Sequence, residues 1–325
     1  MKTFKIGNVE FNNRYILAPM AGVTDLPYRV LCSKHGAGMV CSEMVSAKGI
    51  YYNNKNTVFL LSISEEESPV SLQLFGSDPE IISEMAKRIE ERPFSILDIN
   101  MGCPVPKVVG NGEGSALMKD PVLVGKIVEA TAKAINKPVT VKIRAGFDKD
   151  HINAEEIAHV AEESGAAAVA VHGRTREQFY SGEADWDIIA RVKNRVKIPV
   201  IGSGDAVDYK SANEMFIKTN VDAIMIGRVA RGNPWIFDEL IAGEEGEAYE
   251  RPSLEELLSE MVTHAKMLCE FKGEYIGIRE MRTHASFYLT GQKGAAKARV
   301  MLNLVESLDD LYKYVKTLLD SRTPL

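Results

Sequence analysis

Short apolar, β-rich runs recur along the first two thirds of the chain, mostly separated by stretches with helical spacing. Eight of them have strand character: Tyr15–Ala18, Met39–Cys41, Val70–Phe75, Ser95–Ile99, Val139–Ile143, Ala167–Val171, Pro199–Ile201 and Ala223–Ile226. Helical patterns lie between them at Pro79–Glu91, Val122–Asn136, Ala154–Ser164, Trp186–Val196 and Tyr209–Thr219. Strand and helix in alternation imply parallel pairing, and eight repeats predict an α/β fold of the (β/α)8 barrel (TIM barrel) type over an open sheet. Ahead of these repeats, Lys5-Ile6-Gly7-Asn8-Val9-Glu10-Phe11 alternates around a Gly-Asn pair and reads as a small hairpin, placed as a plug under the barrel.

The rhythm changes at Gly243-Glu244-Glu245-Gly246-Glu247, read as an acidic linker. Beyond it Leu254–Phe271, Tyr275–Leu289, Ala295–Leu304 and Asp309–Leu319 keep helical spacing with no strand candidate. The expected organisation is a barrel with its hairpin over residues 1–243 and a C-terminal α-helical domain over 252–325.

Composition narrows the class. The chain has 325 residues, 45% hydrophobic and 26% charged, in the range of an ordinary globular protein with a full core. Cys32, Cys41, Cys103 and Cys269 show no CxxC spacing and no local His partner, so neither a disulfide framework nor a metal site is indicated, and a reducing, cytoplasmic setting suits them. The N-terminal stretch lacks an apolar signal region and no 18-residue apolar run occurs, so a membrane partner is not expected. No obligate protein partner is indicated either. The net charge of −6 weighs mildly against nucleic acid, but distribution matters more than the sum. Between Lys266 and Arg299 lie seven basic residues (Lys266, Lys272, Arg279, Arg282, Lys293, Lys297, Arg299) and three acidic ones. Arg279, Arg282 and His284 stand at spacings that place them on one helix face, a candidate strip for phosphates.

The chemistry collects at predicted strand ends. Asn100 closes one strand and Cys103 follows on a Gly/Pro loop beside Lys107; a free cysteine is usually a small buried hydrophobe, but this loop is polar. Pro19, Met20 and Ala21 follow the first strand and allow close approach of a flat ligand. Gln73, Lys142 and His172 add polar groups inside or at the end of apolar runs, where desolvation is costly unless something satisfies them. After strands seven and eight, Gly202-Ser203-Gly204-Asp205 and Gly227-Arg228 offer glycine-rich backbone and a fixed cation, the place where barrels of this kind hold a phosphate. No GxGxxG or GxxxxGK[ST] accompanies a strand, so Rossmann and P-loop sites are excluded. A phosphate with a planar polar head across a barrel mouth describes flavin mononucleotide (FMN), with Lys142 at its N1/O2 edge and Gln73 at its pyrimidine edge.

Ala18-Pro19-Met20-Ala21-Gly22-Val23-Thr24-Asp25, Gln73-Leu74-Phe75-Gly76, Asp98-Ile99-Asn100-Met101-Gly102-Cys103-Pro104, Val141-Lys142-Ile143-Arg144, Val171-His172-Gly173-Arg174-Thr175 and Gly227-Arg228 together resemble the tRNA-dihydrouridine synthases, nearest the bacterial B-type branch. The resemblance runs over nearly the whole chain. It implies that Pro19, Met20, Ala21, Gln73, Lys142 and His172 contact the flavin, and that Ser203, Gly204, Asp205, Gly227 and Arg228 take its ribityl-phosphate end. Cys103 would be the proton donor, with Asn100 and Arg174 near the substrate uridine and the helical domain on tRNA. NADPH or NADH would re-reduce the flavin. This chain departs from the family pattern at Ser203, where Asn is usual, and at Thr283 and Phe287, where Lys and Trp are usual. The alternative is an FMN-dependent barrel acting on a free pyrimidine or enone, against which the helical domain and basic strip argue. Two further rivals are an aldolase with Lys142 as Schiff-base former and a non-catalytic RNA-binding protein.

Overall fold

The strand repeats close on themselves. A computed structural model describes residues 2–67 and 69–320. After the hairpin β1 (Phe4–Ile6) and β2 (Val9–Phe11) come β3 (Tyr15–Leu17), β4 (Met39–Ser46), β5 (Val70–Phe75), β6 (Ile96–Asn100), β7 (Val139–Arg144), β8 (Ala168–His172), β9 (Val200–Ser203) and β10 (Ala223–Ile226). Strands β3 to β10 pair in parallel in chain order, and β10 returns to β3, completing a closed barrel. This is the (β/α)8 architecture.

Alternation along each strand divides the core in two. Outward residues such as Leu17, Val40, Leu72, Leu97, Val141, Val169 and Ile224 pack against the surrounding helices. Inward residues, among them Ile16, Met39, Ile96, Ala168, Ile201 and Ala223, form a second cluster with Ile6 and Phe11 of the hairpin. The hairpin is thus the stopper of the barrel's lower end, with Ile6 and Phe11 fully buried. Burying two such side chains stabilises the fold by about 1.5–3 kcal/mol each. Helix starts are fixed by side-chain caps: Asp78, Asp120, Asp185 and Asp208 each accept from backbone N–H groups of the first turn.

Two boundaries differ from expectation. Strand β4 runs on to Ser46 because a register shift between Cys41 and Met44 absorbs the polar Ser42-Glu43 pair without breaking the ladder. The acidic stretch at 243–247 is not a linker throughout: helix Ile236–Glu245 continues through it and stops at Gly246, whose φ of 75° provides the left-handed cap.

The C-terminal helices are Leu254–Lys272, Glu274–Tyr288, Ala295–Leu302 and Leu308–Asp320. The first begins with a capping box, Ser253 with Glu256, and packs against helix Leu26–Lys34 of the barrel. A buried clasp joins the two parts. Asp25 caps Leu26–Lys34 through Tyr28 N (3.0 Å), and its other oxygen accepts from His284 Nε2 at 3.1 Å. His264 Nε2 stands 3.9 Å from the same carboxylate, and the Tyr28 ring stacks on His264 at 5.3 Å. His284 is therefore interior, 2% exposed, and not on a face that RNA could reach. Its expected place beside Arg279 and Arg282 is corrected: the carboxylate that claims it lies 259 residues earlier in the chain.

Candidate active site

At the C-terminal ends of the strands the inward positions turn polar. Register sets Gln73 beside Asp98, Asp98 beside Thr140, Asn100 beside Lys142 and His172 beside Ser203. Of these, Gln73, Asn100, Lys142 and His172 floor a cavity of about 570 Å³ lined also by Pro19, Met20, Ala21, Cys103, Arg144 and Arg228 among others. A narrower lobe of about 100 Å³ continues it over Ser203, Gly204, Asp205, Gly227 and Arg228. With Met44 of β4, residues from all eight strand ends thus converge on one space, at the face where barrels of this type do their chemistry.

The Cys103 loop is held at both sides of its peptide. Asn100 Oδ1 accepts from the N–H groups of Gly102 (3.2 Å) and Cys103 (2.9 Å). The Cys103 carbonyl accepts from Ser115 N (3.1 Å) and Ser115 Oγ (2.9 Å). Gly114 is pressed against this peptide with φ 60°, and a Cβ there would stand 2.9 Å from the Cys103 carbonyl oxygen. Cys103 lines the cavity, and burial pushes its thiol above the usual range against the opposing pull of the Val105 N–H and the Arg144 and Lys142 charges. Such a thiol is protonated at neutral pH, an acid rather than a nucleophile.

Lys142 and His172 are the charged and polarisable groups of the floor. Neither side chain makes a hydrogen bond to protein among the described residues, and both residues line the cavity. Burial, then repulsion from Arg144, pulls Lys142 down to about 8. Burial and four nearby cations, Lys142, Arg144, Arg174 and Arg228, push His172 down to about 2, so its imidazole is neutral.

The narrow lobe requires glycine at 204: φ is 114°, and a Cβ would meet Ala184 Cβ at 2.7 Å and the His172 ring at 2.9 Å. Asp205, also left-handed at φ 64°, spends its carboxylate on Arg174, on Arg228 (3.2 Å) and on Ala184 N. Only its backbone can therefore serve an anion.

Arg174 does not reach into the cavity. It is 2% exposed, forms a two-pronged pair with Asp205 (2.8 Å to each oxygen) and donates to Ser181 and Gly182 carbonyls. Its expected place beside a substrate base is corrected to a strut beneath the 175–185 loop. Arg282 is likewise engaged: Nε and Nη2 both donate to the Val305 carbonyl (3.0 and 2.6 Å). Arg279 remains at the surface, stacked on the Tyr275 ring at 3.6 Å. Of the basic strip, Lys266, Arg279, Lys293 and Lys297 are exposed.

Several cavity residues escaped the sequence reading. Arg144 lines it and donates to the Gly102 carbonyl (2.9 Å), two residues along the inward face from Lys142; that spacing was the available signal. Phe179, Tyr180, Met44 and Val105 add apolar walls, and Arg231 stands at the rim with its guanidinium 4.7 Å from the Phe287 ring of the helical region. Only the paired aromatics on a polar loop were a visible cue.

Fold and site define an enzyme of the (β/α)8-barrel class, with a protonated thiol and a buried cation sharing one cavity. The chain belongs to the dihydrouridine synthase family, whose model matches residues 16–322. A probable tRNA-dihydrouridine synthase of Rickettsia conorii is 44% identical over 93% of this chain and 92% of its own. The tRNA-dihydrouridine synthase B of Pseudomonas aeruginosa is 43% identical over 95% and 93%. Making dihydrouridine reduces a carbon–carbon double bond of uridine, so the chain is an oxidoreductase. Among solved structures, 6-hydroxypseudooxynicotine amine oxidase from Pseudomonas geniculata N1 superposes with a TM-score of 0.61 at 12% identity. The match covers 75% of this chain and 49% of that one, about half its length, and shows a shared fold alone.

Proposed function

We propose that this chain reduces the C5=C6 bond of uridines in tRNA, using FMN held in the barrel mouth and NADPH or NADH as reductant. The observation that carries the reading is that Cys103, Lys142 and His172 line one cavity. The residues present suit a flavin. A flat head finds Pro19, Met20 and Ala21 along one wall and the Gln73 amide, Lys142 and His172 on the floor. A phosphate finds the backbone of Ser203, Gly204, Asp205 and Gly227 with the Arg228 guanidinium.

When bound, the flavin supplies a hydride to C6 of the uracil. Cys103 holds the proton that C5 then needs, and its buried environment keeps that proton on sulfur at neutral pH. Lys142 holds positive charge under the cavity, where extra electron density is stabilised in proportion to the low local dielectric. Neutral His172 presents ring nitrogens without adding a second cation. Phe179, Tyr180 and Val105 keep water from the space between floor and rim.

A uridine inside folded RNA reaches such a floor only by leaving its stack. We assign residues 252–325 to holding the RNA meanwhile, through exposed Lys266, Arg279, Lys293 and Lys297. Arg231 and Phe287, in contact at the rim, link that surface to the cavity. A tRNA substrate sets the cytoplasm as the place of action, and no helix among the described residues is long and apolar enough to cross a membrane.

The test is direct. Purified protein loaded with FMN is incubated with NADPH and an unmodified tRNA transcript, and dihydrouridine is measured by nucleoside mass spectrometry. Dihydrouridine in the transcript, and none from free uridine, is the expected result. Reduction of a free pyrimidine or enone with no change in the transcript would overturn the proposal.

A further inference from the structure

One buried acid beneath the cavity has no part in the account so far. Asp98 lies inside the barrel, 3% exposed, one inward position below Asn100 on β6. Its Oδ1 accepts from Thr140 Oγ1 at 2.6 Å and its Oδ2 from Gln73 Nε2 at 2.7 Å. Gln73 Oε1 accepts in turn from Asn100 Nδ2 at 2.8 Å, and Asn100 Oδ1 accepts from the Cys103 N–H at 2.9 Å. Every donor in this series points toward the carboxylate, which accepts at both ends and donates nothing.

That direction has a consequence. A side-chain amide turned by half a rotation swaps its donor for its acceptor at almost no change in shape. Gln73 cannot turn while a carboxylate faces its Nε2, because an oxygen would then face an oxygen. Asn100 cannot turn while Gln73 shows it Oε1. Only in this setting does Asn100 offer an acceptor to Cys103 N–H; turned over, it would set a donor against a donor and release the loop. Burial raises the Asp98 carboxyl above its usual range, while the Thr140 and Gln73 hydrogen bonds and the Lys142 charge favour its ionised form, and chains of hydrogen bonds in a dry interior strengthen one another.

We propose that Asp98 is a positioning residue for the proton donor: as the common acceptor of this relay it fixes both amides, and through them the peptide that aims the Cys103 sulfur into the cavity. The turnover arm of the test rests on the reading of Cys103 as proton donor. The thiol arm needs neither RNA nor flavin, so a failure of one is distinguishable from a failure of the other.

The experiment compares Asp98→Ala, Asp98→Asn and Gln73→Met. Alkylation of Cys103 by iodoacetamide is followed by peptide mass spectrometry, with buried Cys32 and Cys41 as internal controls for unfolding. Asp98→Ala removes the acceptor and is expected to raise Cys103 alkylation about tenfold, with Cys32 and Cys41 unchanged. Asp98→Asn keeps an acceptor for Gln73 and turns its amide N–H toward Thr140, whose hydroxyl accepts as well as donates; it is expected to stay within about threefold of the parent chain. Gln73→Met cuts the relay between Asp98 and Asn100, leaves the Asn100 amide free to turn, and covers the case in which Asp98→Ala does not fold; it is expected to raise alkylation as Asp98→Ala does. In turnover, Asp98→Ala is expected to lower kcat about tenfold with KM for tRNA unchanged, and Asp98→Asn to restore it. Unchanged Cys103 alkylation in both Asp98→Ala and Gln73→Met would overturn the proposal, as would an Asp98→Asn chain as perturbed as Asp98→Ala.

Discussion

At its lower end the barrel interior is filled by Ile16, Met39, Ile96, Ile201 and the hairpin's Ile6 and Phe11. Toward its upper end, on β5 to β8, it presents Gln73, Asn100, Lys142 and His172 to a cavity. The backbone, the alternation and the parallel pairing are the same at both ends. What differs is whether the inward side chain satisfies itself by packing or is left with unmet polar groups. The lower end therefore carries stability, and the upper end gives some up, since a buried cation with no direct hydrogen-bond partner is costly.

Exchanging apolar for small at the lower end is expected to have the largest effect. Phe11→Ala should cost about 3–5 kcal/mol of unfolding free energy, measured by urea titration, while flavin content per folded molecule stays unchanged. Loss of flavin from folded protein would break the separation between the two ends. At the upper end Lys142→Met should act in the opposite sense. Unfolding free energy should hold or rise, because a desolvated cation is replaced by an apolar chain. Turnover should fall about a hundredfold, a barrier change of about 2.7 kcal/mol.

Titration sharpens the contrast further. His172 at the mouth and His264 in the clasp are pushed down, to about 2 and about 4, chiefly by burial. The unfolded chain takes up these protons near 6.5 and the native one does not, so stability should fall progressively as pH drops below about 6.5. Asp25, held below the usual carboxylate range by His264 and His284 against its own burial, adds to the loss at the acid end. His35 has the opposite sign: Asp238 and Glu260 raise it to about 9 despite burial. Its contribution is complete below about 6.5 and lost as pH rises through 9. Melting temperature should peak near neutrality, and a steady rise to pH 9 would contradict these assignments. The smallest effect is expected outside the barrel. Arg279→Glu with Lys297→Glu should weaken tRNA binding several-fold and flatten its salt dependence by about two phosphate contacts, with flavin reduction unchanged.

Much of this was legible along the chain, for a reason visible in particular residues. Val70–Phe75 and Ala223–Ile226 coincide with β5 and β10 because Val70, Leu72 and Leu74 alternate with inward positions in the first and the second is apolar throughout. Polar residues interrupting or ending such runs, Gln73, Asn100, Lys142 and His172, stand out for the same reason. What stayed hidden depends on partners distant in sequence. Arg174 and His284 look like free surface cations until Asp205 and Asp25 are folded against them. The relay from Asp98 to Cys103 needs three strands in register before any of its members can be read as linked.

The central claim is that the Cys103 thiol delivers the proton and nothing else in the cavity replaces it. Flavin-loaded Cys103→Ala protein, reduced by NADPH and then mixed with unmodified tRNA, tests this in a single turnover. The variant should accept electrons from NADPH at the parent rate and form dihydrouridine at least about a hundredfold more slowly. Dihydrouridine formed at the parent rate would contradict the account.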